Sequence, residues 1–164
     1  MTDDRDADWA AAARRLPRGS LVVVRGRERA ARETLLDRLV VVPGIALSVA
    51  EDAVLAAEVK GLHLPEARLR EAPHVRARHA DWRITAAIHS LAAILRARHC
   101  DALFLSPVFP TTSHPGAADL GAARASLIAA ASHTPVYALG GVTANKAALL
   151  GPSFAGIAAV GALL

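Results

Sequence analysis

The sequence predicts an α/β fold in which about seven parallel strands are covered by helices. Short apolar runs rich in valine, leucine and isoleucine alternate with longer amphipathic segments along the chain. Such runs are typical of strands buried on both faces, and the lack of hairpin signals between them favours helical connections. Two architectures fit: an open doubly wound sheet, or a small barrel lacking its first strand, since 164 residues are few for eight units.

The first half of the chain contains four predicted strands. A first helix is favoured by acidic residues in its first turn and by Arg14 and Arg15 in its last turn, which suits the helix dipole. An arginine-rich stretch interrupted by Pro73 predicts a broken helix or loop over 66–79. The predicted strands are 21–24, 45–47, 61–64 and 83–88. The predicted helices are 6–16, 28–41 and 49–59.

The second half continues the alternation with three more strands. Ser90 precedes a helix in the position of an N-cap, and Gly140 and Gly141 end one of the apolar runs. The predicted strands are 101–105, 135–139 and 154–160. The predicted helices are 91–98, 120–132 and 143–150.

Composition narrows the classes of function. The formal net charge is +4, yet aromatic residues make up only 4% of the chain and form no stripe with the arginines. This pattern argues against nucleic-acid binding and favours a small anionic ligand such as a phosphate ester. Charges interrupt every apolar segment, so no membrane span is expected. The single Cys100 and the acidic N-terminus, unlike a signal peptide, predict a cytoplasmic protein.

A polar loop follows the strand predicted at 101–105. It contains three consecutive hydroxyls, Thr111, Thr112 and Ser113, and then His114. Ligand sites of parallel α/β folds lie at the carboxyl ends of their strands. We therefore predict that this loop forms part of the functional site.

Five segments match landmarks of one protein family in order and spacing. They are RGR at 25–27, GLHL at 61–64, SPVFPTTSH at 106–114, PVYALGGV at 135–142 and GIAAVGAL at 156–163. Together they cover nearly the whole chain, which resembles the thiamine phosphate synthase/TenI family. The resemblance implies one domain over 1–164, a small TIM-type (β/α) barrel. It also implies that the family's first strand, which ends in Thr-Asp, is reduced to Thr2–Asp3, with the strand proper preceding Met1.

The resemblance implies a binding site for phosphorylated ligands. Its thiazole-phosphate positions fall on Gly140, Gly141, Val160 and Gly161, where glycines admit a phosphate close to the backbone. Its pyrophosphate positions fall on Arg25, Arg27, Thr111 and Ser113. The family's lysine in that loop is His114 here, and a neutral imidazole is a poor partner for pyrophosphate.

The resemblance also locates the carboxylates that hold Mg²⁺ in the synthases. Those positions hold Val49 and Arg68 here, so we expect no metal cofactor unless the synthase reaction is retained. Glu51, Asp52 or Glu66 could replace them if the alignment shifts by a few residues.

Three functions remain open from the sequence. The first is an active synthase that joins a pyrimidine pyrophosphate to a thiazole phosphate. The second is a metal-free TenI-like enzyme that moves protons with His89 or His114, assisted by Ser113, because Pro107 occupies the usual histidine position. The third is a non-catalytic protein that binds a phosphorylated ligand. His63 is expected in the core, and the open sheet edge makes a homodimer possible.

Overall fold

The computed structural model describes residues 1–5, 7–111 and 118–160, and it contains one parallel sheet of seven strands. Spatial order equals chain order from β1 to β7. A doubly wound sheet would reverse direction at a switch point, so the sequential order decides for the curled, barrel-type architecture. The strands are β1 (Leu21–Val24), β2 (Ala46–Ala50), β3 (Gly61–Leu64), β4 (Arg83–Ile88), β5 (Ala102–Leu105), β6 (Val136–Ala138) and β7 (Gly156–Ile157).

Helices connect successive strands, as predicted. None of those in the described ranges is both long and apolar enough to cross a membrane. The helices are α1 (Trp9–Arg14), α2 (Arg29–Val40), α3 (Ala53–Val59), α4 (Ala72–Arg78), α5 (Leu91–Arg96), α6 (Ala122–Ala130) and α7 (Ala144–Ala147), with a 3-10 helix at Glu66–Glu71 before α4.

At one boundary the structure has a strand where the sequence predicted a helix. Val49 and Ala50 were expected to begin a helix, but they extend β2, where Val49 lies opposite Leu62 of β3. The helix begins later because the Asp52 carboxylate accepts hydrogen bonds from the Val54 and Leu55 N–H groups and caps α3. Elsewhere most elements are shorter than predicted, and β7 comprises only Gly156–Ile157.

The sheet separates two cores. The larger lies between the strands and the helices and consists mainly of aliphatic side chains, with Leu36, Leu39 and Val49 almost fully buried. The smaller lies inside the curl of the sheet, where Val23, Ala50 and Phe104 cluster. The buried polar residues of the strands lie on the inner face of the sheet, beside the smaller core. Side chains of a strand alternate between the two faces, so every second one points inward. The polar residues buried in this way are Ser48, His63 and Thr85.

The N-terminal residues bring the two edges of the sheet together. The Thr2 N–H donates to the Val23 carbonyl of β1 at 3.0 Å, and the Met1 amine donates to the Ala159 carbonyl beyond β7 at 2.8 Å. The Thr2 hydroxyl also accepts a hydrogen bond from the backbone N–H of Arg25 at 2.8 Å and donates one to the backbone carbonyl of Arg25 at 3.0 Å. Two residues therefore close the sheet at the carboxyl end of its strands.

Replacing Thr2 with valine tests this closure. The Thr2 side chain is buried, so Thr2→Val leaves the Arg25 N–H and carbonyl without their partner. We expect the free energy of unfolding in urea to fall by about 1–3 kcal/mol. Thr34→Val is the matched control, because its hydroxyl donates to Ala30 on an exposed helix face, and it should change stability by less than about 0.5 kcal/mol. Equal effects of the two substitutions would contradict the closure.

Candidate functional site at the carboxyl ends of the strands

Three of the predicted phosphate-binding segments lie at neighbouring positions around the mouth of the barrel. Arg25 follows β1, Gly140 and Gly141 follow β6, and Val160 follows β7. The pairing of β6 with β7 and the bridge from Met1–Thr2 to β1 place these strand ends side by side. Segments more than a hundred residues apart in sequence thus share one rim.

Arg25 and Arg27 differ in their surroundings. The Arg27 side chain is 92% exposed and pairs with Asp4, with 3.7 Å between its Nε and the carboxylate. No ion pair to Arg25 occurs among the described residues. Its charge reaches the barrel interior, since it contributes to lowering the pKa of both Met1 and His63. Of the two arginines, Arg25 is the better placed to attract an anion to the mouth.

Gly140 and Gly141 are required by the packing of the loop after β5. Both have left-handed backbones, with φ of 90° and 63°. A Cβ on Gly140 would lie 2.9 Å from the Cα of Pro107, and one on Gly141 would collide with the Pro110 carbonyl. The loop is held there by the Phe109 N–H, which donates to Gly140. Glycine therefore lets the two loops meet at the mouth, whether or not a phosphate binds.

The remaining predicted residues of this loop are described only in part. Thr111 is half-buried at the end of the described range. Ser113 and His114 lie outside the described residues, as does Gly161 after β7. Their predicted roles rest on the sequence.

His89 is the described histidine at the mouth. It follows β4 and is exposed, and its Nδ1 lies 2.6 Å from the Ser106 carbonyl oxygen at the end of β5. The backbone N–H of His89 donates to one carboxylate oxygen of Glu66 at 2.6 Å, and the Arg96 guanidinium donates to the other oxygen at 2.9 Å. Glu66 thus fixes the backbone of His89, while its own charge is balanced by Arg96.

The contact with Ser106 determines the tautomer of His89. A carbonyl oxygen only accepts hydrogen bonds, so Nδ1 of the neutral ring must carry the proton. Nε2 then keeps its lone pair and is the atom that can accept a proton from a ligand. This is the arrangement expected of a general base.

His63 is buried inside the barrel, as predicted. Its Nδ1 lies 2.9 Å from the Thr85 hydroxyl, and its ring meets that of Phe104 edge to face at 5.6 Å. Burial, assisted by the positive charges of Arg25 and the N-terminus, lowers the pKa of His63 to about 3. A ring that stays neutral at this depth contributes to the polar lining rather than to proton transfer.

Two of the acidic residues near the mouth, Asp52 and Glu66, are engaged separately. Asp52 caps α3 and lies 3.4 Å from Arg32 and 3.7 Å from Arg29. Glu66 is occupied by His89, Ser90 and Arg96. Within the described ranges, no three carboxylate, histidine or cysteine side chains gather as a metal-binding group.

Arg68 fills the space at the end of β2. Its guanidinium donates to both carboxylate oxygens of Glu71, at 2.8 and 2.7 Å, and to the Glu51 carbonyl at 3.0 Å. Glu51 has a left-handed backbone with φ of 62°. Val49, the other position to which the family resemblance assigns a metal carboxylate, is buried within β2 and belongs to the outer core. A cation and an apolar side chain thus occupy the two positions, and this donor set does not fit Mg²⁺.

Comparison with known proteins agrees with this architecture. A family model described as thiamine monophosphate synthase matches residues 4–163. The chain belongs to this family. A protein of Aquifex aeolicus (strain VF5) named "Putative thiamine-phosphate synthase 2" is 35% identical over 97 residues. The aligned residues are 58% of this chain and 52% of that protein, so the match spans about half of the relative's length.

Sequence reasoning missed two features of this family member's mouth. It treated Glu66 as a spare metal ligand, whereas Glu66 supports His89 from the neighbouring strand end. The signal was present, since Glu66 and His89 come within two residues of the ends of predicted strands that adjoin in a sequential parallel sheet. It also missed that Thr2 bonds to the backbone of Arg25, and no local pattern predicts that contact.

The buried His63 predicts a pH dependence of stability. Its folded pKa of about 3 lies below the unfolded value of 6.5, so its stabilising contribution is present above pH 6.5 and is lost as the pH falls towards 3. The loss approaches about 1.4 kcal/mol per pH unit, because unfolding takes up one proton. Urea unfolding across this range should show a weaker dependence for His63→Asn than for the wild type. Exposed His99→Asn is the control, and a dependence unchanged by His63→Asn would refute this assignment.

Proposed function

We propose that this chain binds a small phosphate ester of the thiazole-phosphate class at the barrel mouth and moves a proton on it without a metal ion. Family membership supports the ligand class, and the engaged carboxylates argue against the Mg²⁺-dependent reaction. The observation that carries the proposal is the arrangement of the arginines at the mouth: Arg25 is left without a carboxylate among the described residues, and Arg68, at a position that the family resemblance assigns to a metal carboxylate, is paired with Glu71.

Arg25 supplies the attraction for the phosphate. A guanidinium matches two phosphate oxygens at once, and its bonds to an anion are charge-assisted. Thr2 fixes the Arg25 backbone through two hydrogen bonds, so little main-chain conformational entropy is lost when the ligand binds. Gly140, Gly141 and Val160 border the same rim, and roles in ligand binding for Thr111, Ser113 and Gly161 follow from the family resemblance.

The synthase reaction is the alternative that this arrangement disfavours. Loss of pyrophosphate places negative charge on the leaving group, which calls for a cation held by hard oxygen ligands. Asp52 and Glu66 are neutralised by arginines, and Arg68 stands at a position that the family resemblance assigns to a carboxylate.

His89 is the described residue suited to proton transfer. With Nδ1 bonded to Ser106, its Nε2 can take a proton from an acidic ring position of the ligand and return it elsewhere. Glu66 acts on His89 only through the backbone and is a positioning residue. His114, with Ser113, is the second candidate for this role.

Replacing Arg25 tests the binding site. We expect Arg25→Gln to weaken binding of thiazole phosphate roughly ten- to hundredfold, because a charged hydrogen-bond partner of the anion is lost. Titration calorimetry would measure the dissociation constant. Arg98→Gln removes an equal charge near the opposite end of the sheet and should leave affinity within about twofold. A proposal centred on Arg25 fails if both variants bind like the wild type.

Replacing His89 tests the proton transfer. Incubation of the wild type with thiazole phosphate in D₂O should incorporate deuterium into the ligand, which NMR detects. His89→Gln should slow incorporation by about 10²–10⁴ while leaving affinity largely intact. His133→Gln, an exposed residue just before β6, should exchange normally. Wild-type protein that binds the ligand but catalyses no exchange would favour the non-catalytic binder instead.

A further inference from the structure

Lys146 holds its ammonium against the loop that follows β5. Its Nζ lies 5.3 Å from the centroid of the Phe109 ring, within the range of a cation–π contact. Lys146 belongs to α7, which begins soon after the loop at Gly140 and Gly141, and its backbone N–H donates to the Thr143 hydroxyl at 3.4 Å. A lysine at the carboxyl end of the strands thus has a defined resting position.

The ring beneath this ammonium is itself fixed. Phe109 is only 7% exposed, and its backbone N–H donates to the Gly140 carbonyl at 3.0 Å. The two loops are in contact here, since a Cβ on Gly141 would lie 2.8 Å from the Phe109 carbonyl oxygen. The ammonium of Lys146 therefore rests where the loops after β5 and β6 meet.

The charge of Lys146 is not balanced by a carboxylate. No ion pair to it occurs within residues 1–5, 7–111 and 118–160. The other lysine of the chain, Lys60, lies 2.6 Å from the Asp81 carboxylate. An anion that reaches Lys146 has no such carboxylate to displace, and an aromatic ring attracts an ammonium more weakly than a phosphate does. Lys146 is therefore the lysine that is available to a ligand.

Main-chain donors precede this charge in the same loop. The N–H groups of Gly141 and Val142 have no acceptor in the part of the chain that the structure describes. Gly140 and Gly141 have left-handed backbones, and successive N–H groups of such turns form concave sites for anions. Val142 lies four residues before Lys146, whose long and flexible side chain can follow an anion placed there.

We propose that Lys146 is a further ligand-binding residue, whose ammonium binds the phosphate group of a ligand held on the N–H groups of Gly141 and Val142. The inference rests on the proposed function and adds a second cation to it. Arg25 lies on the β7 side of this loop, and Lys146 lies on its β5 side. Cations on both sides select a phosphate ester against the same compound without its phosphate.

Lysine acetylation provides the first test, because the chain contains only Lys60 and Lys146. The N-hydroxysuccinimide ester of acetic acid modifies accessible amines, and mass spectrometry measures the rate at each lysine. At a thiazole phosphate concentration of about ten times the dissociation constant, about one-tenth of the protein is free. Acetylation of Lys146 should therefore slow about tenfold, while that of Lys60, which is paired with Asp81, should not change.

Substitutions provide the second test, with calorimetry as the readout. Lys146→Gln should raise the dissociation constant of thiazole phosphate roughly tenfold, because one charge-assisted hydrogen bond is lost. Lys146→Arg keeps a charged donor and should restore most of the affinity. Added salt should weaken binding less in Lys146→Gln than in the wild type, a change that a merely structural role would not produce. Lys60→Gln is the matched control and should bind like the wild type.

The outcomes separate this inference from the proposed function. Lys146 is excluded if thiazole phosphate binds while Lys146 stays as reactive as in the free protein, or if Lys146→Gln binds like the wild type; either result leaves the proposed function standing. If thiazole phosphate does not bind at all, the proposed function fails. Inorganic phosphate is then the probe: protection of Lys146 by it would support the anion site, and no protection would overturn the inference as well.

Discussion

The structure depends on the joining of its two sheet edges by Met1 and Thr2. Seven parallel strands in sequential order curl, but hydrogen bonds within the sheet do not by themselves bring β1 to β7. The Thr2 contacts with Val23 and Arg25, and the Met1 contact with Ala159, supply that link. Closure at this end places Arg25 beside the loops after β6 and β7. The candidate site at the mouth therefore depends on these contacts.

At the rim, charge decides which chemistry is favoured. Two of the acidic side chains there are committed: Asp52 to a helix cap and two arginines, Glu66 to the backbone of His89 and to Arg96. Arg68, paired with Glu71, reaches the Glu51 carbonyl at the end of β2. The family fold is retained, and the proposed function rests on Arg25, which is unpaired within the described ranges, and on the Nε2 atom of His89 rather than on a metal ion.

Much of this fold can be predicted from the sequence, because strands of a buried parallel sheet are continuous apolar runs. Their short length and their alternation with amphipathic segments distinguish them from helices. The motifs also lead to Arg25, Gly140 and Gly141 as residues of the mouth. Local patterns fail where a distant partner decides: Val49 and Ala50 join β2 because β3 pairs with them, although their apolar character also suits a helix. Glu66 and Thr2 likewise acquire their roles from neighbours that only the assembled sheet supplies.

The central claim is a phosphate-binding mouth that works without Mg²⁺. Its most direct test is calorimetric titration with pyrophosphate and with thiazole phosphate, each in the presence of Mg²⁺ and in excess chelator. The account predicts that thiazole phosphate binds equally in both conditions and that Mg²⁺ does not enhance pyrophosphate binding. Micromolar pyrophosphate binding that appears only with Mg²⁺ would contradict it and restore the synthase reaction.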